Sequence, residues 1–328
     1  MKTHTGGVGV TISSPDKVLF PEDGISKGEL AVYYRLVAPL MLPHVRSRPL
    51  TMERFPDGIG APGFFHKDVV RGFPEWLERI ELPKKGGRVH HPLLNDARAV
   101  LWAANQNCIT PHVSNARAPA LRPDLCVLDL DPADDSDPAA LRTAALQLRR
   151  MLDELSLPSW IKTTGSKGFH IVVPLDGEAA AGEVARFARA VGQLLVRRAP
   201  RALTQELSKV DRGGRILVDT GRNGFPATYA APYAVRPRRG APVSAPCSWE
   251  EVEEVEEGSV HPQSFRLRDM AARTDAVGDL WLDLHENGQP LGDAVARLAG
   301  LAARMSTTAI SVITRFLLSA RIRCKPRS

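Results

Sequence analysis

The chain has 328 residues, of which 43% are hydrophobic, so it is long enough to bury one large core or two smaller ones. Its formal net charge of +6 favours a polyanionic partner without proving one. Its four cysteines are far apart and form no Cys-x-x-Cys pair, which argues against a zinc site and a disulfide framework and indicates a reducing compartment.

The sequence predicts no membrane attachment. Its N-terminus lacks a charged and then apolar signal pattern. The apolar run at 309–320 is interrupted by Arg315 and is too short to cross a bilayer. We therefore expect a soluble, cytoplasmic protein.

The first helix is predicted to begin at Ser26. Val8–Ile12 alternates like an edge strand, and turn-forming residues follow it. Ser26 and Glu29 stand at the spacing of a capping box, which predicts a helix that Pro39 and Pro43 limit.

Two lysines and two phenylalanines of the N-terminal region are candidate contacts with nucleic acid. Lys17 and Lys27 flank a loop and the helix start, where cations beside free backbone N–H groups could hold a phosphate; solvated surface lysines are the alternative. Phe64 and Phe65 stand beside basic residues in a loop rich in glycine and proline. An exposed phenylalanine there could stack on an unpaired base, although burial in the core is the default interpretation for at least one of the pair.

Leu50–Phe55 and Ala99–Ala103 are predicted strands, and Cys108–Val113 follows them along the chain. Between the first two, Lys84 and Lys85 belong to a basic loop that we expect to be mobile and able to touch a phosphate backbone.

A short apolar strand ends in two carboxylates just before Pro132. Side chains alternate along a strand, so Asp129 and Asp131 point the same way. Neighbouring carboxylates repel each other and lose hydration, and a divalent cation such as Mg²⁺ or Mn²⁺ resolves both problems. The alternative is a pair of solvated residues that continue into the acidic loop after the strand.

A hairpin with a polar tip follows. Trp160–Thr163 and Phe169–Val173 are predicted strands joined by residues 164–168. The tip offers the hydroxyl of Ser166, the ammonium of Lys167 and free backbone N–H groups, which together could cradle phosphate oxygens. Its spacing is wrong for a Walker A loop and no helix follows it, so an ordinary hairpin turn is the alternative.

The next elements bring a third carboxylate and two arginines. Glu183–Arg198 has the periodicity of an amphipathic helix. Arg215–Asp219 is an apolar strand that again ends in a carboxylate, and a third acid of this kind is what a site for two cations needs. Arg236 and Arg238 then lie in a strand edge whose guanidinium groups suit phosphates.

The order of these segments resembles the archaeo-eukaryotic primase superfamily, with its Asp-x-Asp strand, its Ser-x-His hairpin element and its final Asp. The sequence is still more similar to the polymerase domain of the bacterial non-homologous end-joining ligases and their stand-alone Prim-PolC-like relatives. The resemblance covers most of the chain from about residue 10 to about residue 270. Its parts are Asp16–Pro21, Phe64–Phe65, His112–Val113, Val127–Pro132, Gly165–His170, Val218–Asn223 and Val235–Glu251.

The resemblance implies a role for each candidate residue. Asp129, Asp131 and Asp219 would bind two divalent cations, Mn²⁺ or Mg²⁺. The residues implied to hold the incoming nucleotide are His112, Ser166, Lys167, His170, Arg54 and Arg236. The residues implied to contact DNA are Lys17 and Lys27 at a downstream 5′-phosphate and Phe64, Phe65, Lys84, Lys85 and Arg238 at the template or its phosphates.

The implied fold is α+β, the primase-polymerase fold in which an RRM-like antiparallel catalytic sheet packs with an N-terminal α/β module. We predict three regions: an N-terminal module with 5′-phosphate and template contacts at 1–120, the catalytic module at 121–270 and a helical, basic tail at 271–328.

The implied activity is template-dependent extension of a primer that fills short gaps in DNA repair, with a preference for ribonucleotides. The implied partners are gapped or primed DNA, ribonucleoside and deoxyribonucleoside triphosphates, a separate DNA ligase, and end-binding or excision-repair proteins. We expect a monomer that associates with the nucleoid.

The sequence also departs from this family. It has no lysine-centred motif of a ligase domain, it has Ser114–Asn115 where the family commonly places an aromatic residue, and its tail after about residue 275 has no counterpart. Two other functions stay open. One is an unrelated Asp-x-Asp metal phosphotransferase, which does not explain the 166–170 hairpin, and the other is a non-catalytic nucleic-acid-binding repair module.

Overall fold

The structure is a computed structural model of the chain. It describes residues 3–4, 9–69, 73–133, 137–254 and 260–305. Within these ranges no helix has both the length and the apolar character needed to span a membrane. The apolar run at 309–320 and the acidic positions 134 and 135 lie outside the described residues.

The described part of the chain contains eight α-helices and twenty strands. The helices are Lys27–Val45 (α1), Ala97–Asn105 (α2), Pro138–Glu154 (α3), Ala181–Arg198 (α4), Lys209–Arg212 (α5), Trp249–Glu253 (α6), Met270–Val277 (α7) and Leu291–Met305 (α8). The strands are Thr3–His4 (β1), Thr11–Ile12 (β2), Val18–Phe20 (β3), Ile25–Ser26 (β4), Leu50–Arg54 (β5), Phe64–His66 (β6), Arg79–Lys84 (β7), Gly87–Pro92 (β8), Cys108–Val113 (β9), Ala116–Arg117 (β10), Arg122–Pro123 (β11), Leu125–Asp131 (β12), Trp160–Thr163 (β13), Phe169–Pro174 (β14), Leu203–Thr204 (β15), Ile216–Asp219 (β16), Tyr229–Ala230 (β17), Ala234–Val235 (β18), Val243–Ser244 (β19) and Pro246–Cys247 (β20).

The larger sheet has six strands in the order β15–β16–β12–β14–β13–β20. Neighbouring strands are antiparallel except for β15 and β16, which are parallel. Helix α3 begins after Asp137, whose side chain accepts a hydrogen bond from Ala139 N at 2.9 Å, and Pro138 occupies the first turn. The predicted α+β class with an antiparallel sheet is confirmed.

The smaller sheet has four strands in the order β17–β9–β5–β6, and α1 and α2 belong to the same part of the molecule. Asp96 caps α2, since its side chain accepts from Ala99 N at 2.7 Å. Ser26 and Glu29 form the predicted capping box of α1. A buried cluster joins α1, α2 and this sheet.

Strand β12 contributes to two hydrophobic clusters through its two faces. Cys126, Leu128 and Leu130 pack with residues of α3, α4 and α8, while Leu125 and Val127 pack with residues of the smaller sheet and α1. Alternation places Asp129 and Asp131 on the second of these faces. The acids therefore face the N-terminal part of the molecule rather than the helices α3 and α4.

Two secondary-structure predictions were wrong. The helix that Pro39 and Pro43 were expected to limit continues to Val45 with both prolines inside it. Buried side chains on both sides of the prolines, among them Val37 and Met41, outweigh the missing hydrogen bonds. Ala99–Ala103, predicted as a strand, lies within helix α2. A short apolar run is ambiguous between the two structures, and the Asp96 cap decides for the helix.

The segment with Phe64 and Phe65 forms strand β6 rather than a loop, and the 84–88 segment includes the turn between β7 and β8. The prediction that the tail is helical applies to α8, which packs on the cluster of α3 and α4; residues 306–328 lie outside the described residues.

Candidate active site

A row of polar side chains crosses four strands of the larger sheet. Asp219 on β16 is opposite Asp129 on β12, which is opposite His170 on β14, which in turn is opposite Lys162 on β13. Residues directly opposite each other in antiparallel strands share one face of the sheet. Two carboxylates predicted from separate strands are therefore neighbours, beside the predicted histidine.

Asp129 is buried and anionic. It exposes 6% of its surface, and its Oδ2 lies 3.4 Å from His170 Nε2. Burial by itself would raise the pKa of Asp129, but His170, Arg222 and Lys162 together lower it to about 2. This carboxylate therefore keeps its negative charge at neutral pH.

Two arginines that sequence analysis did not single out neutralise the three acids. Nη2 of Arg222 lies 3.3 Å from Asp129 Oδ2 and 3.4 Å from Asp219 Oδ2. Nη1 of Arg212 lies 3.0 Å from Asp131 Oδ2. The Arg212 side chain is also held by the backbone carbonyls of residues 206 and 207. Each acid thus has a cationic partner.

The three acids fit divalent cations by their chemistry. Hard carboxylate oxygens are the ligands that Mg²⁺ and Mn²⁺ prefer. Asp129 and Asp219 already share one positive group between them, the Arg222 guanidinium. Among the described residues, no group of three histidine, cysteine, aspartate or glutamate side chains is arranged as a metal site. The carboxylate of Asp131 is directed to Arg212 instead.

The tip of the β13–β14 hairpin is built around Thr164. Its Oγ1 accepts hydrogen bonds from Ser166 N at 3.2 Å and Gly168 N at 3.1 Å, while its carbonyl accepts one from Arg236 Nη1 at 3.2 Å. Gln263 Nε2 donates to the Ser166 carbonyl at 2.7 Å. Ser166 and Lys167, both half-buried, are thus held on a turn that Arg236 joins to strand β18.

His112 faces the same interior from the smaller sheet. Its Nε2 lies 3.0 Å from Glu53 Oε2, and its ring contacts that of Phe65 edge-on at 5.4 Å between centroids. Burial lowers the pKa of His112 although Glu53 opposes this effect. Sequence analysis missed Glu53, whose position directly after an apolar residue in a strand gave no special signal.

A second basic group lies at the start of α1. Lys27 exposes 3% of its surface, and its Nζ lies 3.0 Å from Ser13 Oγ. Burial and repulsion by Lys17 and Arg54 lower the pKa of Lys27 to about 8. Lys17 is exposed and lies 3.5 Å from an oxygen of Asp57. The three predicted cations are therefore close enough to influence one another.

Both predicted aromatic residues are exposed, so the default interpretation of a buried ring was wrong. Phe64 exposes 47% and Phe65 exposes 65% of its surface. The guanidinium of Arg54 lies over the Phe64 ring at 5.4 Å, and its Nη1 lies 2.8 Å from His66 Nδ1. The two rings lie on β6, the edge strand of the smaller sheet, and half-buried Arg54 on β5 lies beside them.

The remaining predicted contacts are peripheral. Lys84 lies at the end of β7 with its Nζ 3.0 Å from Asp68 Oδ2, and Lys85 is exposed in the adjoining turn. Arg238 is also exposed. Within the described residues, no hydrogen bond or ion pair joins these three side chains to the acids.

Comparisons with known proteins show which family the chain resembles. Residues 26–281 match the family model of the LigD primase-polymerase domain. The chain is 36% identical over 298 residues to the multifunctional non-homologous end joining protein LigD of Pseudomonas aeruginosa, which covers 89% of this chain and 35% of that protein. It is 33% identical over 290 residues to the LigD protein of Mycolicibacterium smegmatis, which covers 87% of this chain and 37% of that protein. The chain thus spans little more than a third of the length of these relatives.

A solved structure matches the fold. The polymerase domain of Mycobacterium tuberculosis Ligase D, in a complex with DNA, aligns with a TM-score of 0.79 and 31% sequence identity. The alignment covers 85% of this chain and 99% of that chain. The predicted primase-polymerase fold and the predicted nucleotidyltransferase class are confirmed. The chain therefore belongs to the LigD primase-polymerase domain family, whose members are metal-dependent nucleotidyltransferases.

Proposed function

We propose that this protein extends a DNA primer under the direction of a template and fills short gaps in DNA repair. The observation that carries the proposal is the register of the larger sheet, which sets Asp219, Asp129 and His170 side by side on one face. Separate strands supply these residues, and the face they share is directed to the sheet that carries His112 and Phe65.

A cluster of positive groups beside the acids suits a triphosphate. Burial, Arg236 and Arg222 lower the pKa of Lys162, and burial, Arg238 and Arg222 lower the pKa of Arg236, as expected for cations held close together. Two buried nitrogen atoms in and beside this cluster have no hydrogen-bond partner within the described residues. They are Arg236 Nε and Nδ1 of His170, which lies opposite Lys162. Buried polar atoms normally have hydrogen-bond partners, so the lack of partners for these two nitrogen atoms supports the binding of a polar ligand beside them.

The reaction is an in-line phosphoryl transfer, in which the primer 3′-oxygen bonds to the α-phosphorus and the bond to pyrophosphate breaks. Two divalent cations, Mn²⁺ or Mg²⁺, held by Asp129, Asp131 and Asp219, would lower the pKa of the 3′-hydroxyl and neutralise the leaving group. Ser166, Lys167 and His170 bind the phosphates of the nucleotide, and Arg236 fixes the hairpin tip that presents them. His112, oriented by Glu53, lies beside the sugar.

The DNA contacts follow the smaller sheet. The exposed rings of Phe64 and Phe65 stack at the template base, since an unpaired base offers a flat apolar face to an aromatic side chain. Lys17 and Lys27 bind the 5′-phosphate downstream of the gap, and Arg54 contacts the incoming nucleotide. Lys84, Lys85 and Arg238 contact template phosphates from exposed positions. The Mycobacterium tuberculosis relative was solved in a complex with DNA, which supports DNA as the partner of this protein.

The finer points of the proposal extend to substrate and partners. The enzyme prefers ribonucleotides and acts as a monomer on chromosomal DNA. A separate DNA ligase then acts on the filled product. Proteins that bind DNA ends or act in excision repair bring it to its substrate. These points rest on the family resemblance and on the end-joining relatives.

The test uses the full chain with a gapped duplex that carries a labelled primer and a downstream 5′-phosphate. We expect template-directed incorporation with Mn²⁺ or Mg²⁺, more efficient with ribonucleotides than with deoxyribonucleotides. Asp129→Asn and Asp219→Asn should each lower extension by at least about 100-fold. Asp153→Asn, an exposed carboxylate on α3, is the matched control and should extend normally. Undiminished extension by both site variants would overturn the site, and cation-independent DNA binding without incorporation would indicate a binding module.

A further inference from the structure

Lys162 is a lysine in an unusual place. It lies on β13, next to His170 in the row of polar residues, and exposes 0% of its surface. Its Nζ donates a hydrogen bond to Ser244 Oγ, and Ser244 Oγ donates in turn to the Thr163 carbonyl at 3.0 Å. In the described part of the chain, no carboxylate lies within 4.0 Å of this ammonium.

The surroundings of Lys162 do not stabilise a cation well. Among its charged neighbours, the guanidinium of Arg236 has the largest effect on the pKa of Lys162, and the ring of Tyr229 lies 6.0 Å from Nζ. Burial and Arg236 lower the pKa of Lys162 well below its usual value, whereas Asp129 raises it. A fully buried lysine without a direct counterion is costly to the fold and is therefore a candidate for a functional role.

The connections of Lys162 lead to the hairpin tip. Thr163 and Thr164 follow it directly, Ser244 ties its ammonium to the Thr163 carbonyl, and Arg236 donates to the Thr164 carbonyl. Lys162 thus lies at the base of the turn that carries Ser166 and Lys167, on the same face as His170. An anion that binds at this tip would supply the negative charge that Lys162 lacks.

We propose that Lys162 is a positioning residue for the incoming triphosphate: its buried ammonium, fixed by Ser244, supplies positive charge beneath the hairpin tip and orients the phosphates on His170 and Arg236. This inference rests on the proposed polymerase function. Because an interior of low polarity screens charge poorly, Lys162 acts without touching the nucleotide. Its contribution grows with the negative charge of the ligand.

The experiment compares the wild type with Lys162→Met, in which a neutral side chain of similar length fills the same space. The affinity of a fluorescent ribonucleoside tri-, di- and monophosphate is measured with Mn²⁺ and without DNA, and KM and kcat are then measured in primer extension. We expect triphosphate affinity to fall on the order of tenfold, monophosphate affinity to change little, and KM to rise more than kcat falls. Thermal unfolding of the variant should occur at the same or a higher temperature, because the buried charge is gone.

Two further variants sharpen the result. Ser244→Ala keeps the ammonium but removes its acceptor, so we expect a smaller loss of triphosphate affinity than in Lys162→Met. Arg186→Met removes an exposed positive charge from α4, whose neighbours pack on the opposite face of the sheet, and should leave nucleotide affinity unchanged. An equal loss for all three phosphate forms, or no loss, would overturn the inference. A wild type that binds no nucleotide would overturn the proposed function as well.

Discussion

Lys27 is nearly enclosed at the start of α1, with its ammonium 3.0 Å from Ser13 Oγ. Burial and the neighbouring cations Lys17 and Arg54 lower its pKa to about 8, so the side chain is charged below pH 8 and neutral above it. Recognition of a 5′-phosphate should therefore weaken as the pH rises through about 8. The measurement is the ratio of affinities for gapped duplexes with and without the 5′-phosphate between pH 6.5 and 9.5.

We expect this ratio to be large and nearly constant at pH 7 and to decline above about pH 8, where Lys27 of the free protein loses its proton. Lys27→Arg is the control, since a guanidinium keeps its charge over the whole range. An affinity ratio that stays constant from pH 7 to pH 9 in the wild type would show that Lys27 does not bind the 5′-phosphate.

Arg222 links Asp129 and Asp219 through contacts of 3.3 and 3.4 Å. Without it the two carboxylates repel each other, so Arg222→Gln should lower the unfolding free energy by roughly 0.5–1 kcal/mol in the presence of a chelator. Divalent cations can take over the same neutralisation, and the difference from the wild type should shrink in Mn²⁺. Thermal unfolding of the wild type and of Arg222→Gln, in chelator and in Mn²⁺, measures the stability difference under each condition.

Arg186→Gln on the exposed face of α4 is the matched control and should behave like the wild type in both buffers. If the deficit of Arg222→Gln were the same with and without Mn²⁺, the cation would not bind between these two acids.

At the level of single residues, the sequence predicts acids better than it predicts their partners. Asp129 and Asp131 share a face because strand side chains alternate, which is a local rule. Lys162 looks like the solvent-facing member of a similar strand, yet it is fully buried, and the groups beside its ammonium, Ser244 and the ring of Tyr229, come from distant parts of the chain. Arg222 and Glu53 likewise depend on register between strands, which one sequence does not specify.

The tip of the β13–β14 hairpin packs closely against the backbone of β12. A Cβ atom on Gly168 would collide with the carbonyl of Leu130 at the end of β12. Gly168→Ala should therefore push the hairpin tip away from the acids and destabilise the protein by about 2–4 kcal/mol. Chemical unfolding measures the stability, and nucleotide affinity reports the position of Ser166 and Lys167.

The control for this change is Gly182→Ala in the first turn of α4, where the nearest atom to a new Cβ is the end of the Arg186 side chain at 3.5 Å. Alanine favours a helix, so this variant should be as stable as the wild type or slightly more stable. Normal stability and normal nucleotide affinity in Gly168→Ala would contradict the close packing of tip and strand.

The elements that the sequence predicts well are those with a local start signal. Ser26 with Glu29 and Asp137 with Pro138 give the N-terminal ends of α1 and α3. The end of α1 was missed because burial of one face along the length of the helix, a tertiary effect, outweighs two prolines. Exposure of Phe64 and Phe65 is tertiary as well, since it depends on β6 being the edge strand of its sheet.

For the whole molecule, the division into 1–120, 121–270 and 271–328 stays a prediction, and the contacts of the C-terminal part show why it is hard to draw from sequence. Trp281 exposes 1% of its surface and packs in the cluster of the smaller sheet. Its Nε1 donates to the Ile161 carbonyl on β13 at 3.1 Å, and its ring meets His44 of α1 edge-on. One residue after position 270 thus connects α1 of the N-terminal part with the strand that carries Lys162.

Trp281→Ala should therefore cost about 3–5 kcal/mol of unfolding free energy, because it leaves a large cavity and an unpaired carbonyl. Trp281 packs between α1 and β13, the strand that carries Lys162. The Trp281→Ala molecules that remain folded should therefore bind the nucleotide more weakly. Its neighbour Leu282 exposes 75% of its surface and supplies the matched control. Leu282→Ala should change stability by no more than about 0.5 kcal/mol. Equal stabilities of the two variants in urea would mean that the C-terminal part does not join the two sheets, and that its packing on β13 contributes nothing to the site.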